Sequence, residues 1–294
     1  CRVRIADCRA DWTVVDCSCG RTQTQERRQP VLIELKATQL GILIYLAMAL
    51  YFLSAGAQLA GLWRTYHIFF AAGFAAAVAA WLIRWIQVGH IPMQSMFEIF
   101  LSLGMAVWPV SLACRRFLDI RDTLALTTDV LLGVVILFPA GFIFPEPPRP
   151  LPPALQSILF GPHVAVYILA YILLAKAAFQ AAGGLLTAKM IDREQDAYRL
   201  IRMGFPLLSA GLLLGSVWGK LAWGDWWGWD PKELWSLACW LVYAFYFHWR
   251  YLYGKRYIRI NLWLAILGLF CILLTLLWVN LSHLFSGLHN YASM

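Results

Sequence analysis

A tryptophan-rich segment in the last third of the sequence contains the residue types best suited to ligand chemistry. Residues 217–235 read VWGKLAWGDWWGWDPKELW and place six tryptophans within 18 residues. Tryptophan prefers membrane interfaces, but an interfacial belt collects single residues from many helices. We call this segment the tryptophan loop. Its candidate binding residues are Trp218, Trp223, Gly224, Trp226, Trp227, Trp229, Asp230, Lys232 and Glu233.

These residue types predict a binding surface for a flat, apolar ligand with a few polar groups. Indole rings offer large, rigid contact areas, and glycines let the backbone approach a ligand closely. Lys220 and Lys232 could pair with ligand carboxylates, while Asp230 or Glu233 could cap a helix that begins at Pro231. A planar macrocycle with propionates fits these demands. A quaternary amine in an aromatic cage is the rival ligand, but it gives the histidines no role.

Two histidines beside the tryptophan loop are candidate iron ligands for such a macrocycle. His163 follows a proline-rich segment, and His289 lies in the C-terminal tail. Neutral imidazole is a usual axial ligand of haem iron, so this pair predicts a site with two histidine ligands. His283, near the end of the last apolar run, is a lesser candidate for the same position. His90, in a GHIP turn, is a further lesser candidate, and we interpret it as supporting the binding surface.

A further candidate ligand, His248, lies inside an apolar run. It follows Leu234 by 14 residues, which places it about 20 Å below the tryptophan loop at 1.5 Å per residue. Leu241 and Ala244, on the same helical face, would form a smooth wall for a porphyrin. A snorkelling histidine near Arg250 is the alternative interpretation. His67, near one end of the second apolar run, is an in-chain candidate for the opposing ligand.

The composition predicts a membrane protein. Of the 294 residues, 61% are hydrophobic and only 14% are charged, which is too little charge to cover a soluble domain. The net charge is +8, but basic residues do not alternate with aromatics on a soluble face, so nucleic acid is not a predicted partner. No C-x-x-C-H haem-attachment motif is present, so the chain is not itself a c-type cytochrome. We interpret Cys114, Cys239 and Cys271 as small buried hydrophobic residues.

The apolar runs predict an all-α transmembrane bundle of about eight spans, because roughly 20 apolar residues are needed to cross the hydrocarbon layer. Residues 39–294 are predicted to form this domain. Residues 1–38 are predicted to be a poorly defined N-terminal segment, and the start at Cys1 is consistent with a misassigned start. The predicted spans are 39–62, 66–88, 96–114, 123–144, 161–186, 204–222, 233–252 and 260–283.

Basic residues predict how the bundle is oriented. Lysine and arginine concentrate in the loops that follow the first, third, fifth and seventh spans, and the positive-inside rule makes that side cytoplasmic. The tryptophan loop, the proline-rich segment 145–163 and the C-terminal tail are therefore predicted to be extracytoplasmic. The N-terminal segment would also lie outside, which its arginines do not favour. A bacterial plasma membrane is the predicted location, with the thylakoid as the alternative.

Three segments, in order along the chain, resemble one family. The run WGDWWGWDPKELW, followed by a histidine on the next helix, resembles the WWD signature of the CcsA (ResC) family of cytochrome c biogenesis proteins. GHIPMQSMFE resembles the family's G-H-x-P-x-S-N-x-Y-E segment, from which Gln94, Ser95 and Phe97 depart. GLHNYA resembles the family's G-L-H-S-Y-G tail. The resemblance covers roughly residues 40–294.

The resemblance implies haem b as the cofactor, with His163 and His289 as outer axial ligands and His248 as an inner ligand. It also implies a CcsB (ResB)-type membrane subunit, which would supply the ligand opposite His248, and apocytochrome c, whose C-x-x-C-H thiols would receive the haem. The expected function is haem binding, transport and ligation within a cytochrome c synthetase complex. No catalytic group separate from haem positioning is expected.

Three alternatives to this function remain open at the level of the sequence. A CcmC-type haem delivery protein would have fewer spans and a different continuation after W-D. A transporter with an aromatic gate predicts paired charges inside the spans, whereas Lys176 is the clear intramembrane charge and its span contains no carboxylate. A membrane b-type cytochrome usually needs two intramembrane histidines on facing helices, whereas the best pair here lies outside.

Overall fold

The computed structural model describes residues 35–254 and 256–281, which form a helical bundle. The all-α prediction is confirmed. The last helix continues through a π-helical turn, Leu274–Trp278, into a final turn, Val279–Leu281. The eight long helices are α1 (Gln39–Leu59), α2 (Trp63–Val88), α3 (Met96–Phe117), α4 (Thr123–Phe142), α5 (Phe160–Leu186), α6 (Met190–Trp223), α7 (Pro231–Tyr253) and α8 (Ile258–Leu273).

The eight helices correspond one to one with the eight predicted spans, and the chain is an integral membrane protein. Seven of them, counting α8 together with its π-helical turn, are long and apolar enough to cross a membrane. The exception is α7, whose 23 residues give it sufficient length. It is less apolar because tryptophan and tyrosine replace aliphatic residues along much of it. The predicted proline-rich connection is extended up to a short 3-10 turn, Pro153–Leu155.

Polar side chains fix the starts of four helices. Thr38, Ser95, Asp122 and Asp230 each accept a hydrogen bond from a backbone N–H in the first turn of the helix that follows. Such bonds satisfy donors that have no partner within the helix. These caps place the turns between the apolar runs, which is why most helix boundaries agree with the sequence prediction.

The start of α6 was predicted wrongly. The apolar pattern places it near residue 204, but the helix begins at Met190 and runs for 34 residues. The added turns are polar, yet they are held by a fully buried carboxylate. Glu194 accepts hydrogen bonds from Arg250 of α7 at 2.7 Å and from Asn261 of α8 at 3.1 Å. A tertiary ion pair therefore extends the helix beyond its apolar part.

Consecutive helices pack against each other as antiparallel neighbours. The closest pairs are α5 with α6, α1 with α2, and α3 with α4, while α8 packs on both α5 and α7. The end of α6 and the start of α7 therefore lie at the same end of the bundle as the starts of α3 and α5. We call this the loop end, because it includes the tryptophan loop. The opposite end includes the start of α2 and the end of α3.

Buried ion pairs link the helices, which corrects the expectation that Lys176 has no charged partner in the membrane. Lys176 of α5 is 3% exposed and forms an ion pair with Asp129 of α4, which also accepts a hydrogen bond from Ser111 of α3. A second buried pair joins Arg84 of α2 to Glu98 of α3 at 2.8 Å. The partner carboxylates lie in neighbouring helices, so inspecting one span at a time missed them. The argument against a transporter, that its spans lack paired charges, therefore no longer holds.

The three cysteines within the described spans are buried free thiols, as predicted. Cys114 and Cys239 are each 2% exposed, and Cys271 is 6% exposed. All three belong to the main hydrophobic cluster of the bundle. Their role in these helices is apolar packing.

Candidate functional site

The tryptophan loop joins α6 to α7 through two local signals in its sequence. Gly224 ends α6 with a positive φ of 89°, a conformation that glycine adopts at little cost. Lys220 donates a hydrogen bond to the carbonyl oxygen of Gly224 at 2.5 Å. Trp229 also has a positive φ, 55°, which is unusual for a residue with a side chain. The loop therefore reverses the chain tightly at the surface of the bundle.

The sequence predicted that Asp230 or Glu233 would cap the start of α7, and the structure shows both acting together in a capping box. Asp230 accepts a hydrogen bond from the Lys232 amide at 2.8 Å. The Glu233 carboxylate accepts from the amides of Gly228 at 2.8 Å and Asp230 at 3.1 Å. These bonds assign both carboxylates a clear role in holding the loop, whereas their predicted role as ligand contacts stays a prediction.

The tryptophans of the loop divide into buried and exposed members. Trp218, within α6, is 3% exposed, and its Nε1–H donates to the carbonyl of Ala154 at 2.9 Å. Trp223 and Trp227 are half-buried. Trp226 and Trp229 are 58% and 68% exposed. The tryptophans of the loop therefore do not form a single binding surface of equivalent rings, because Trp218 belongs to the packing beneath that surface.

His163 lies in the first turns of α5, next to Trp218. Its Nδ1 lies 2.9 Å from the carbonyl oxygen of Gly211 in α6. A carbonyl has no proton to donate, so Nδ1 is the donor and the lone pair of the neutral ring is on Nε2, as iron coordination requires. The rings of Tyr167 and Trp218 lie 5.0 and 5.7 Å from the imidazole, centroid to centroid. The imidazole orientation is therefore fixed by groups of this chain.

Two glycines of α6 make room for this arrangement. A Cβ at Gly215 would lie 2.7 Å from Cε1 of His163, and a Cβ at Gly211 would lie 2.9 Å from the Tyr167 ring. The two glycines are four residues apart in α6, and His163 and Tyr167 are four residues apart in α5. The glycine face of α6 therefore matches the ring face of α5. The sequence reasoning missed these glycines. The usable signal was the equal four-residue spacing in two neighbouring spans.

His163 opens onto a cavity that also includes residues of the tryptophan loop. The cavity has a volume of about 180 Å³ and is lined by His163, Trp227, Lys232, Glu233 and Gly215, among others. We call it the His163 cleft. Four residues that the sequence assigned to ligand binding therefore meet in one cavity, although they come from α5, the loop and α7.

The lining of the His163 cleft suits one face of a haem. It combines an imidazole with its lone pair on Nε2, an indole and an ammonium group. The Trp227 Nε1–H is buried and has no hydrogen-bond partner among the described residues. Lys232, in the first turn of α7, is half-buried at the edge of this lining. The chemistry of these donors therefore fits an apolar ring that carries anionic groups.

The GHIP segment lies at the loop end, where it supports the start of α5. A Cβ at Gly161, two residues before His163, would lie 3.0 Å from the side chain of Ile91. His90 is half-buried, and its Nδ1 lies 3.0 Å from the carbonyl of Ile91. The His90 side chain does not line the His163 cleft. This placement agrees with a supporting role for the segment.

A buried ion pair holds the proline-rich segment to this support. Arg84, paired with Glu98, also donates to the carbonyl of Glu146 at 2.6 Å. Gln94 donates to the carbonyl of Pro150 at 3.2 Å. Sequence reasoning overlooked Arg84 and Glu98 as site-positioning residues. Their signal was a pair of opposite charges within two consecutive apolar runs.

The remaining candidate histidines lie apart from the His163 cleft or outside the described residues. His248 is exposed on α7, and its Leu241 neighbour is 53% exposed. His67 is exposed near the start of α2, at the opposite end, and its Nδ1 lies 3.2 Å from a guanidinium nitrogen of Arg115. His283 and His289 lie outside the described residues. The pairing of His163 with His289 therefore stays a prediction.

Comparison with known proteins gives consistent matches. The family model described as "Cytochrome C assembly protein" matches residues 91–286, a range that includes His163, the tryptophan loop and His248. A protein from Prochlorococcus marinus (strain MIT 9313), named cytochrome c biogenesis protein CcsA, is 32% identical over 71% of this chain and 78% of its own length. Its namesake from Synechococcus sp. (strain CC9605) is 33% identical over 85% of this chain and 93% of its own length.

A solved structure shows a similar fold. It is named Cytochrome c Heme Lyase CcmF, and it superposes on 85% of this chain with a TM-score of 0.67 and 20% sequence identity. This chain spans about half, 48%, of the length of that protein. The similarity therefore concerns the helical architecture of one part of a larger chain.

Proposed function

Because the chain belongs to the CcsA family of cytochrome c biogenesis proteins, we propose that it binds haem b at the His163 cleft and presents it to apocytochrome c. The observation that carries this proposal is the meeting of His163, Trp227 and Lys232 in one cavity at the loop end. We further propose that this end faces the extracytoplasmic side, as the distribution of basic residues predicts.

Each residue of the cleft has a stated task in this proposal. The Gly211 carbonyl holds the His163 ring in the tautomer that could ligate iron, and His289 would supply the second imidazole ligand. Trp227 covers an apolar face, and Lys232 pairs with a carboxylate. The cleft itself, at about 180 Å³, is smaller than typical ligand pockets, so the exposed indoles of Trp226 and Trp229 provide the remaining contact area.

The protein contributes position and dielectric to the reaction. Bound haem would supply the two vinyl groups to which the reduced thiols of a C-x-x-C-H segment add, each S–H adding across one double bond. The residues of the cleft fix the ring relative to the incoming peptide, which lowers the entropic cost of the encounter. The exposed side of the tryptophan loop leaves the peptide a route to the ring.

A second station and a partner complete the proposal. His248 ligates haem within the membrane, on a face of α7 that a CcsB-type subunit covers and to which it contributes the opposing ligand. The length of α7 would separate this station from the His163 cleft by about 20 Å. The exposure of His248 supports this part, because a ligand shared between two chains must be accessible at the surface of each.

Absorbance of the purified protein tests the outer site. We expect the haem Soret band to be lost in a variant that carries both His163→Ala and His289→Ala, and to return when imidazole is added. A matched control is His67→Ala, which removes an exposed histidine at the opposite end and should leave the band unchanged. A full band in the double variant would contradict the outer site.

A further inference from the structure

A second cavity lies at the opposite end, between the start of α2 and the end of α3. Its volume is about 700 Å³, larger than the His163 cleft. On α3 its lining changes along the helix. Arg115 and Arg116 lie in the last turn, Leu112 about one turn farther in, and Trp108 about two turns farther in. Seven residues separate Trp108 from Arg115, which is about 10 Å along the axis. We call this the arginine cavity.

The α2 side of the arginine cavity shows the same change. Trp63 and His67 lie in the first turns of α2, and Ala71 lies one turn deeper. The ring of Trp108 stacks on Phe74, with centroids 4.7 Å apart, so the deep part has a fixed aromatic wall. The cavity therefore has a cationic part at the end of the bundle and an apolar part farther along the helices.

The positive charge at this cavity is not neutralised by nearby carboxylates. Within residues 35–254 and 256–281, no carboxylate oxygen lies within 4.0 Å of the Arg115 or Arg116 guanidinium. A third arginine that lines the cavity, Arg121, forms an exposed ion pair with Asp119 at 3.0 Å. The Nε of Arg115 is buried without a hydrogen-bond partner among the described residues. A buried donor without a partner is energetically unfavourable, and a bound anion would offset that cost.

His67 adds a donor to the cavity and disfavours iron there. A guanidinium has donors only, so Nδ1 of His67 must accept the hydrogen bond from Arg115 at 3.2 Å. The neutral ring then carries its proton on Nε2. In this tautomer Nε2 can donate to an anion but has no lone pair for iron. The geometry therefore favours an anionic ligand over the predicted axial role of His67.

We propose that the arginine cavity binds an anionic phospholipid, with its phosphate at Arg115 and Arg116 and one acyl chain against Leu112 and Trp108. The fork of a guanidinium matches the oxygens of a phosphate. Basic pockets between transmembrane helices at a membrane surface suit anionic head groups. Free phosphate would contact the cationic part alone and would leave the apolar part empty. The proposal is independent of haem binding at the His163 cleft.

Native mass spectrometry of the full chain in mixed micelles tests the proposal. The probes are phosphatidylglycerol and phosphatidylcholine in equal amounts. We expect one retained phosphatidylglycerol per chain, and retention at least tenfold lower when Arg115→Gln and Arg116→Gln are combined.

The matched control combines Arg256→Gln and Arg259→Gln, which removes two exposed positive charges at the same end of the bundle and should retain the lipid. Equal retention of both lipids, or equal loss in both double variants, would overturn the proposal.

A second variant tests the apolar part without removing charge. Leu112 is 45% exposed, so Leu112→Trp should fold while filling the path of the acyl chain. We expect it to lower phosphatidylglycerol retention severalfold with the arginines intact. Unchanged retention, or displacement of the lipid by millimolar inorganic phosphate, would identify a free-anion site and contradict a lipid. If the arginine double variant lost haem but kept the lipid, the cavity would instead be a haem site.

Discussion

His163 and His248, the two proposed iron ligands in the described part of the chain, have contrasting surroundings. His163 is half-buried, hydrogen-bonded to the Gly211 carbonyl at 2.9 Å and bordered by two aromatic rings. His248 is exposed on α7, and its near neighbours Leu241 and Phe245 are 53% and 49% exposed. The first imidazole is held by its own chain, whereas the second faces outward from the bundle.

This contrast indicates how each histidine would bind a ligand. Immobilising a side chain on binding costs about 0.5–1.5 kcal/mol. For His163 the fold has already met this cost, because Gly211, Tyr167 and Trp218 restrict the ring. For His248 the cost of immobilising the ring is incurred on binding and must be offset by contacts with the surface of a partner subunit. We therefore expect the isolated chain to load haem at the His163 cleft and to need its partner for the His248 station.

The largest expected effect comes from removing the space that His163 occupies. Gly215→Ala would place a Cβ 2.7 Å from Cε1 of the imidazole, so the ring must shift. In enzymes, a displacement of about 1 Å at a reacting group can lower the reaction rate by a factor of about 100, which shows how sensitive such sites are to position. We expect haem retention to fall at least tenfold, measured by the Soret band per chain.

A glycine elsewhere provides the control for Gly215→Ala. A Cβ at Gly56 of α1 would meet nothing within 4 Å, so Gly56→Ala should bind haem like the unaltered chain. An unchanged band in Gly215→Ala would show that the precise position of His163 does not matter. The contrast with His248 would then lose its basis.

An intermediate effect should come from the buried tryptophan beside His163. Trp218→Phe keeps an aromatic ring but removes the Nε1–H that bonds the Ala154 carbonyl at 2.9 Å. Losing one such bond costs about 1 kcal/mol, or roughly fivefold in an equilibrium constant. We expect a lower thermal unfolding temperature in detergent and a loss of haem retention of about fivefold.

The control for Trp218→Phe is Trp226→Phe, on an indole that is 58% exposed. Surface substitutions usually change stability by less than about 0.5 kcal/mol, so its unfolding temperature should stay the same. If both variants were destabilised equally, the division of the loop into buried and exposed indoles would be wrong.

Local signals in the sequence predicted much of the loop end correctly. Apolar runs located the helices, and the caps at Asp230 and Glu233 followed from residue types within a few positions of Pro231. Such features depend on the chain near each residue, so a single sequence contains the information. The predicted meeting of His163 with the tryptophan loop also followed from span alternation, because spans that alternate in direction bring their odd or even connections together.

Features that depend on distant partners could not be predicted in the same way. Glu194 extends α6 because Arg250, 56 residues away, reaches its carboxylate. Lys176 looked unpaired because Asp129 belongs to another helix. The fit of Gly215 to His163 depends on the rotation of α6 against α5, which hydropathy does not determine. In each case the sequence shows one partner, and only packing identifies the other.

The smallest effect is expected from His248, and it should depend on the partner subunit. In the isolated chain, His248→Ala should leave the Soret band unchanged, because the fold does not hold this exposed imidazole in place for a ligand. In the complex with a CcsB-type subunit, the same variant should lose roughly half of the bound haem, the share of one station in two. His67→Ala, which removes another exposed histidine, should lose none in either preparation. A loss in the isolated chain would mean that α7 forms a complete site alone, whereas no loss in the complex would leave the His163 cleft as the sole station.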